Sequence, residues 1–131
     1  MIICVGPIFL DRVVRIDSFP KKPIKLVAKS LEKRLGGPAA VASFAANILG
    51  ENSELVSRFG DDEAADFLQS ELNQYNINFK KSITVKGTLS SQSHIFEDKH
   101  GERMLAVFNE KKLLNEKTLP NFNFTNEQTY L

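Results

Sequence analysis

The stretch from Leu35 to Gly50, LGGPAAVASFAANILG, constrains this chain more than any other. Gly36 and Gly37 open backbone angles closed to other residues and let other atoms approach the main chain. Pro38 suits the first helical position, where a missing N–H is no loss. Ala39 to Leu49 carries no charge, and Gly50 is a helix stop. A helix that is small or apolar all round is usually buried on several sides. Its first amide groups lie beside the glycine pair and attract anions or hydroxyl oxygens. The stretch therefore predicts a core helix with a ligand floor at its start. The plainer alternative is a turn before an ordinary core helix. The spacing is neither G-x-G-x-x-G nor a P-loop.

A chain of 131 residues with 42% hydrophobic and 25% charged residues suits one globular domain with a real core. The ten Phe residues are explained as core. A net charge of +1 gives no reason to invoke nucleic acid or an anionic membrane as partner. The single Cys4 cannot form an internal disulfide, which fits a reducing cytoplasm. Met1 to Val5 is apolar, but Gly6, Pro7 and Asp11 follow too soon for a signal peptide or a membrane span.

In chain order, Ile2 to Val5 reads as a buried parallel strand. Gly6-Pro7 breaks it, and Ile8 to Leu10 lead to Asp11. A carboxylate just past a buried strand sits where open α/β sheets bind ligands. The alternatives are an exposed turn acid or an ion pair with Arg12 or Arg15. Val13 to Asp17 alternates like a half-exposed strand, with Val13, Arg15 and Asp17 set against Val14 and Ile16. Ile24 to Arg34 fits either a helix face or a strand, and local propensity leans to helix. Its basic residues, with Lys21, Lys22, Lys33 and Arg34 among them, read as a solvated face, with an anion-holding role as the alternative.

Leu55 to Phe59 predicts a second strand, and Gly60-Asp61-Asp62 opens a second helix, with Asp61 or Asp62 as its cap. Ala64, Ala65, Phe67, Leu68, Leu72 and Tyr75 form the apolar face of that helix. Strand, helix, strand, helix argues a parallel α/β sheet. Ile83 to Val85, Leu89 to Phe96 and Arg103 to Phe108 are then β-rich, the last two joined by a polar hairpin loop, Glu97 to Glu102. Ser91, Ser93 and Ile95 point one way; Gln92, His94 and Phe96 point the other. His94 and His100 have no metal-ligand spacing and read as structural or solvated. Pro120 to Thr129 reads as a surface connection, and Tyr130-Leu131 as a new apolar run.

These pieces together resemble the N-terminal part of the ribokinase-like carbohydrate kinases, often called the PfkB family. The resemblance rests on Gly6 with Asp11 five residues on, on Gly36-Gly37 before the Ala-rich helix ending Ile48-Leu49-Gly50, on Arg58-Phe59-Gly60-Asp61-Asp62 and on Gly101-Glu102-Arg103. It spans nearly the whole chain. It implies an α/β fold: a parallel sheet with flanking helices plus a small β lid, of which residues 1–131 are an incomplete N-terminal part. The lid segments would be about 13–35 and 85–108, which tips Ile24 to Arg34 towards strand.

The resemblance further implies an ATP-dependent sugar kinase with a sugar as partner, Mg²⁺ beside the nucleotide, and a homodimer through the β lid. Asp11, Gly36 and Gly37 match its substrate-binding positions, and Gln92 or Ser93 on the lid could touch the acceptor. No metal ligands and no catalytic residues are assigned in this chain. Many sugar kinases of the family carry an Asn four residues after the second glycine; here that position is Val41, so the substrate is expected to be atypical. The family's Gly-Ala-Gly-Asp turn, with its catalytic base, and the ATP pocket are absent from the sequence. The isolated chain is therefore expected to be an inactive fragment of a cytoplasmic enzyme, with neither ATP nor Mg²⁺ bound. The alternatives are a non-catalytic sugar-binding or dimerisation module and an unrelated α/β binding domain.

Overall fold

The computed structural model describes residues 1–114. The expected features at Pro120 to Thr129 and Tyr130-Leu131 lie outside the described residues. β1 (Ile2–Val5) pairs in parallel with β4 (Ser53–Val56), and Cys4 stands opposite Leu55. α1 (Pro38–Ile48) packs across both strands. β5 (Arg58–Phe59) continues from β4 after a break at Ser57 and pairs in parallel with β6 (Ile83–Thr84). The Leu55 amide donates to the Asn78 carbonyl at 2.7 Å and the Ile83 amide to the Ser57 carbonyl at 3.1 Å. Those bonds tie β6 and its approach to the other edge of β4–β5. The parallel layer expected from the strand–helix order is therefore present, with α2 (Glu63–Gln74) as the second crossover.

The core lies where this layer meets the helices. Leu10, Leu55, Leu68 and Leu72 are wholly buried, and Phe59 belongs to the same cluster. α1 departs from expectation. Only Ala39, Ala40, Ser43 and Ala46 are buried, while Val41 is 59% and Ile48 67% exposed. Among the described residues the helix has neighbours on one side only, so one stripe of small side chains packs and the rest faces outward. Pro38 occupies the first helical turn, and Gly50 takes a left-handed φ of +85° where the helix stops.

A second sheet is mixed, in the order β3–β2–β7–β8. β2 (Phe9–Arg15) lies between β3 (Ser30–Gly36), antiparallel to it, and β7 (Gln92–Glu97), parallel to it. β8 (Arg103–Phe108) completes the β7 hairpin. The ambiguous stretch is thus a strand from Ser30 onward, and no regular element forms between Ser18 and Lys29. Pairing along all seven residues of β2 overrides the helical propensity. The hairpin loop is shorter than expected, because Glu97 still pairs with Arg103. The simple alternation expected after Val13 also fails: Leu10, Val13 and Ile16 are the buried positions, so both faces of β2 are covered in places.

An ion-pair ladder crosses the sheet. Arg103 meets Glu97 at 2.8 Å, Glu97 meets Arg15 at 2.6 Å, Arg15 meets Glu32 at 3.2 Å, and Glu32 meets Arg34 at 2.5 Å. At the first turn of α2, Asp62 is the cap, accepting from the Ala65 amide at 3.1 Å. Asp61 instead accepts from the Gly87 and Thr88 amides at 2.8 and 3.2 Å.

Gly60 sits against the backbone of Thr88 to Ser90, and a Cβ there would collide with it. Gly50 has a positive φ but open space around it. Gly60→Ala is expected to cost about 3 kcal/mol or more, since main chain must move on both sides. Gly50→Ala should cost only about 1 kcal/mol of left-handed strain. Chemical denaturation of both variants checks the order, which reverses if backbone angle matters more than the close approach.

Candidate functional site

Strand alternation places Phe9, Asp11, Val13 and Arg15 on one face of β2. Register puts Arg34 opposite Asp11 on one side and Ser93 opposite it on the other. Asp11 is therefore inside a second strand, and the alternative of an exposed turn acid does not hold. The chain re-enters a strand directly after Gly6-Pro7 and Ile8, because Leu10 is drawn into the core and carries Asp11 onto the opposite face.

The Asp11 carboxylate lies over Gly36. A Cβ at Gly36 would overlap the carboxylate itself, so this glycine is required by close approach and not by its φ. Gly37 is required on both counts: its φ is +98°, and a Cβ would meet the Pro7 carbonyl and the Ile8 Cα. No side chain caps α1, so its first amide groups remain available beside the glycine turn.

Burial pushes the Asp11 carboxyl above the ordinary aspartate range, against the Ser93 hydroxyl and the Arg34 guanidinium, which both favour the charged form. Ser93 is itself buried. The structure thus assembles Asp11, Gly36 and Ser93, with Gly37 behind them. It does not bring Gln92 to this face. The Gln92 side-chain oxygen accepts from Arg12 Nε at 3.1 Å on the other face, where Lys33 meets Glu63 of α2 at 2.9 Å. Neighbouring strand residues point oppositely, so Gln92 and Ser93 cannot serve the same face.

Arg34 is the residue that sequence reasoning left among solvated cations. Its signal is available once the hairpin is paired: Gly36 opposite Phe9 puts Arg34 opposite Asp11. Arg34 also borders a cleft of about 370 Å³ along β3, α1 and α2, lined by Leu35, Val41, Phe44 and Tyr75 among others. Phe44 and Tyr75 meet edge-to-face at 4.8 Å in its wall. Val41 thus presents methyl groups to this cleft. His94 and His100 are exposed. Among the described residues no group of His, Cys, Asp or Glu is arranged to hold a metal, and no helix is long and apolar enough to cross a membrane.

The family model for pfkB family carbohydrate kinases matches residues 1–128. A nucleoside kinase of Methanocaldococcus jannaschii is 30% identical over 123 residues, which cover 93% of this chain and 41% of that protein. Its crystal structure superposes with a TM-score of 0.76. A ribokinase of Dictyostelium discoideum is 28% identical over 89% of this chain and 37% of its own length. A crystal structure from Agrobacterium tumefaciens superposes with a TM-score of 0.84 at 27% identity, over 92% of this chain and 39% of that one. The chain spans about two fifths of the length of the curated relatives named here.

Because the Asp11 carboxyl is raised in the folded state, the fold favours its neutral form. That contribution is complete below the ordinary aspartate pKa of about 4 and is lost as pH rises through the higher folded value. Asp11→Asn removes this titration and little else. Urea denaturation at pH 4 and pH 7 should show the variant gaining on the native protein as pH rises. A difference that runs the other way would mean that Arg34 and Ser93 outweigh burial.

Proposed function

The chain belongs to the pfkB family of carbohydrate kinases, and on that premise we propose that it forms the acceptor-binding side of an ATP-dependent, cytoplasmic sugar or nucleoside kinase. One observation carries this reading: a half-buried carboxylate, Asp11, stands at the mouth of the Gly36–Gly37 turn and faces Ser93 from a separate chain segment. Two hydroxyl groups of a sugar ring can donate to such a carboxylate, and charge-assisted bonds of this kind are the stronger ones. Gly36 and Gly37 bring main chain close enough to form the floor under the ring, and the four-stranded sheet is the lid above it. Ser93 adds a hydroxyl from the lid side. Gln92 is left out of the contact set on geometric grounds.

Phosphoryl transfer in such enzymes rests on positioning and charge stabilisation. The part proposed for this chain is to hold the acceptor still and keep water off it. ATP with Mg²⁺ supplies the phosphoryl group. The general base and the nucleotide pocket are assigned to parts of the fold outside these residues, and the chain alone is inactive. The comparison with a nucleoside kinase and a ribokinase supports both acceptor classes. Val41, exposed on α1 close behind the glycine turn, offers no hydrogen bond, which favours an acceptor that presents an apolar edge to it.

In the intact protein, Asp11→Ala should weaken acceptor binding by about 1.5–3 kcal/mol while the melting temperature changes little. Calorimetry with ribose and a nucleoside panel, beside a melting curve, tests this. Unchanged binding with a large fall in melting temperature would assign Asp11 to the fold instead.

The lid also supports a homodimer. Met104 and Phe108 on one face of β8, and Leu105 and Val107 on the other, are 45–57% exposed. A hairpin with both faces bare needs a cover. Sedimentation velocity should show a dimer that Leu105→Glu with Val107→Glu dissociates. A monomer at high concentration before substitution counts against the clasp.

A further inference from the structure

Ser93 can face Asp11 only while β7 keeps its register against β2. Slipping a strand by one residue turns every side chain to the other face. Here a slip would bring Gln92 or His94 opposite Asp11 and send Ser93 towards α2. The ladder between these strands starts at the Leu10 amide, which donates to the Ser91 carbonyl at 3.0 Å. What fixes its starting point lies one residue earlier, at Ser90, which is 1% exposed.

Ser90 is held from three directions by the Gly60–Asp62 turn. The Gly60 amide donates to Ser90 Oγ at 3.0 Å. Ser90 Oγ donates to Asp62 Oδ1 at 2.7 Å, and the Ser90 amide donates to Asp62 Oδ2 at 3.0 Å. Asp62 Oδ1 also accepts from the Ala65 amide at 3.1 Å, which makes the same carboxylate the cap of α2. Next to it, the Asp61 amide donates to the Thr88 carbonyl at 3.0 Å, and the Asp61 carboxylate receives the Gly87 and Thr88 amides. A helix cap needs one carboxylate oxygen. The second oxygen is spent on Ser90, on the segment that leads into the lid.

We infer that Asp62 is a positioning residue: its carboxylate, anchored to the start of α2, sets the register of β7 on β2 through Ser90 and so aims Ser93 at Asp11. The inference rests on the reading of Asp11 and Ser93 as acceptor-binding groups, but its test needs no acceptor. Serine also caps helices well, yet its side chain is too short to hold both Ala65 and the two donors of Ser90. Asp62→Ser therefore keeps the cap and cuts the clamp.

The experiment combines amide hydrogen exchange with carboxyl titration by NMR on the ligand-free 131-residue chain. In Asp62→Ser, the amides of Ser91 to Ser93 should exchange roughly tenfold faster while those of α2 change by less than about twofold. The Asp11 carboxyl should titrate higher than in the native chain, as it does in Ser93→Ala, because the hydroxyl that lowers it is no longer aimed at it. Faster exchange spread evenly over α2 and β7 would make Asp62 a general stability residue and overturn the inference, and so would an unchanged Asp11 titration. Should Asp62→Ser fail to fold, Ser90→Ala keeps the cap and the Ser90 amide bond but removes the Oγ link. It should raise the Asp11 titration by a smaller amount, and an unshifted titration there overturns the inference equally. Should these shifts appear while acceptors do not bind the intact protein, the clamp stands and the acceptor reading falls.

Discussion

The double pairing of β2 is the constraint on which the rest of the molecule depends. Its antiparallel edge is satisfied by β3, its immediate successor among the strands, and its parallel edge by β7, which begins more than seventy residues later. Parallel neighbours need a crossover. Here that crossover is the α/β layer itself, with α1, β4, β5, α2 and β6 all lying between β3 and β7. The two sheets are thus interlocked by chain order, and Leu10 is the bolt: it is wholly buried in the core, while its neighbour Asp11 faces the other way.

Polar contacts, more than apolar ones, hold the outer end of the mixed sheet. Each rung of the Arg103–Glu97–Arg15–Glu32–Arg34 ladder is partly exposed, so solvent screens it and it adds little stability by itself. Its value is in placement. Glu97 stands directly across from both Arg15 and Arg103, and opposite charges so placed favour one register and oppose its neighbours. The inner end is set differently, by the main-chain and carboxylate bonds around Ser90.

The parts of this fold that depend on local chemistry were legible in the sequence. Gly37, Pro38, the stop at Gly50 and a helix cap at Asp61 or Asp62 each follow from what one residue type can do with its own backbone. The family resemblance tipped Ile24 to Arg34 towards strand, which holds from Ser30 onward, where pairing outweighs helical propensity. What was not legible depends on register. Nothing local shows that Asp11 sits in mid-strand, that Arg34 stands beside it, or that Gln92 turns away while Ser93 turns in. The one-sided burial of α1 is of the same kind. Composition can say that a helix is apolar, but which sides are covered depends on what the chain brings to it.

Asp11 is the point where fold and proposed function oppose each other. Ordinary core design would leave no carboxylate on a half-buried strand beside a glycine Cα. Burial there disfavours the charge, and Arg34, already shared with Glu32, compensates only in part. A carboxylate can accept about four hydrogen bonds, and Ser93 stands opposite it across the strand pair. In the proposed reading, an acceptor that donates two hydroxyl groups there restores what folding takes from the carboxylate. The same burial that raises its pKa in the empty protein then strengthens each bond it makes, because a charge–dipole contact gains as water is excluded. In that reading the burial of Asp11 in the free chain is the source of affinity for a polyol, and the same burial is the reason a neutral side chain in its place would suit the fold better.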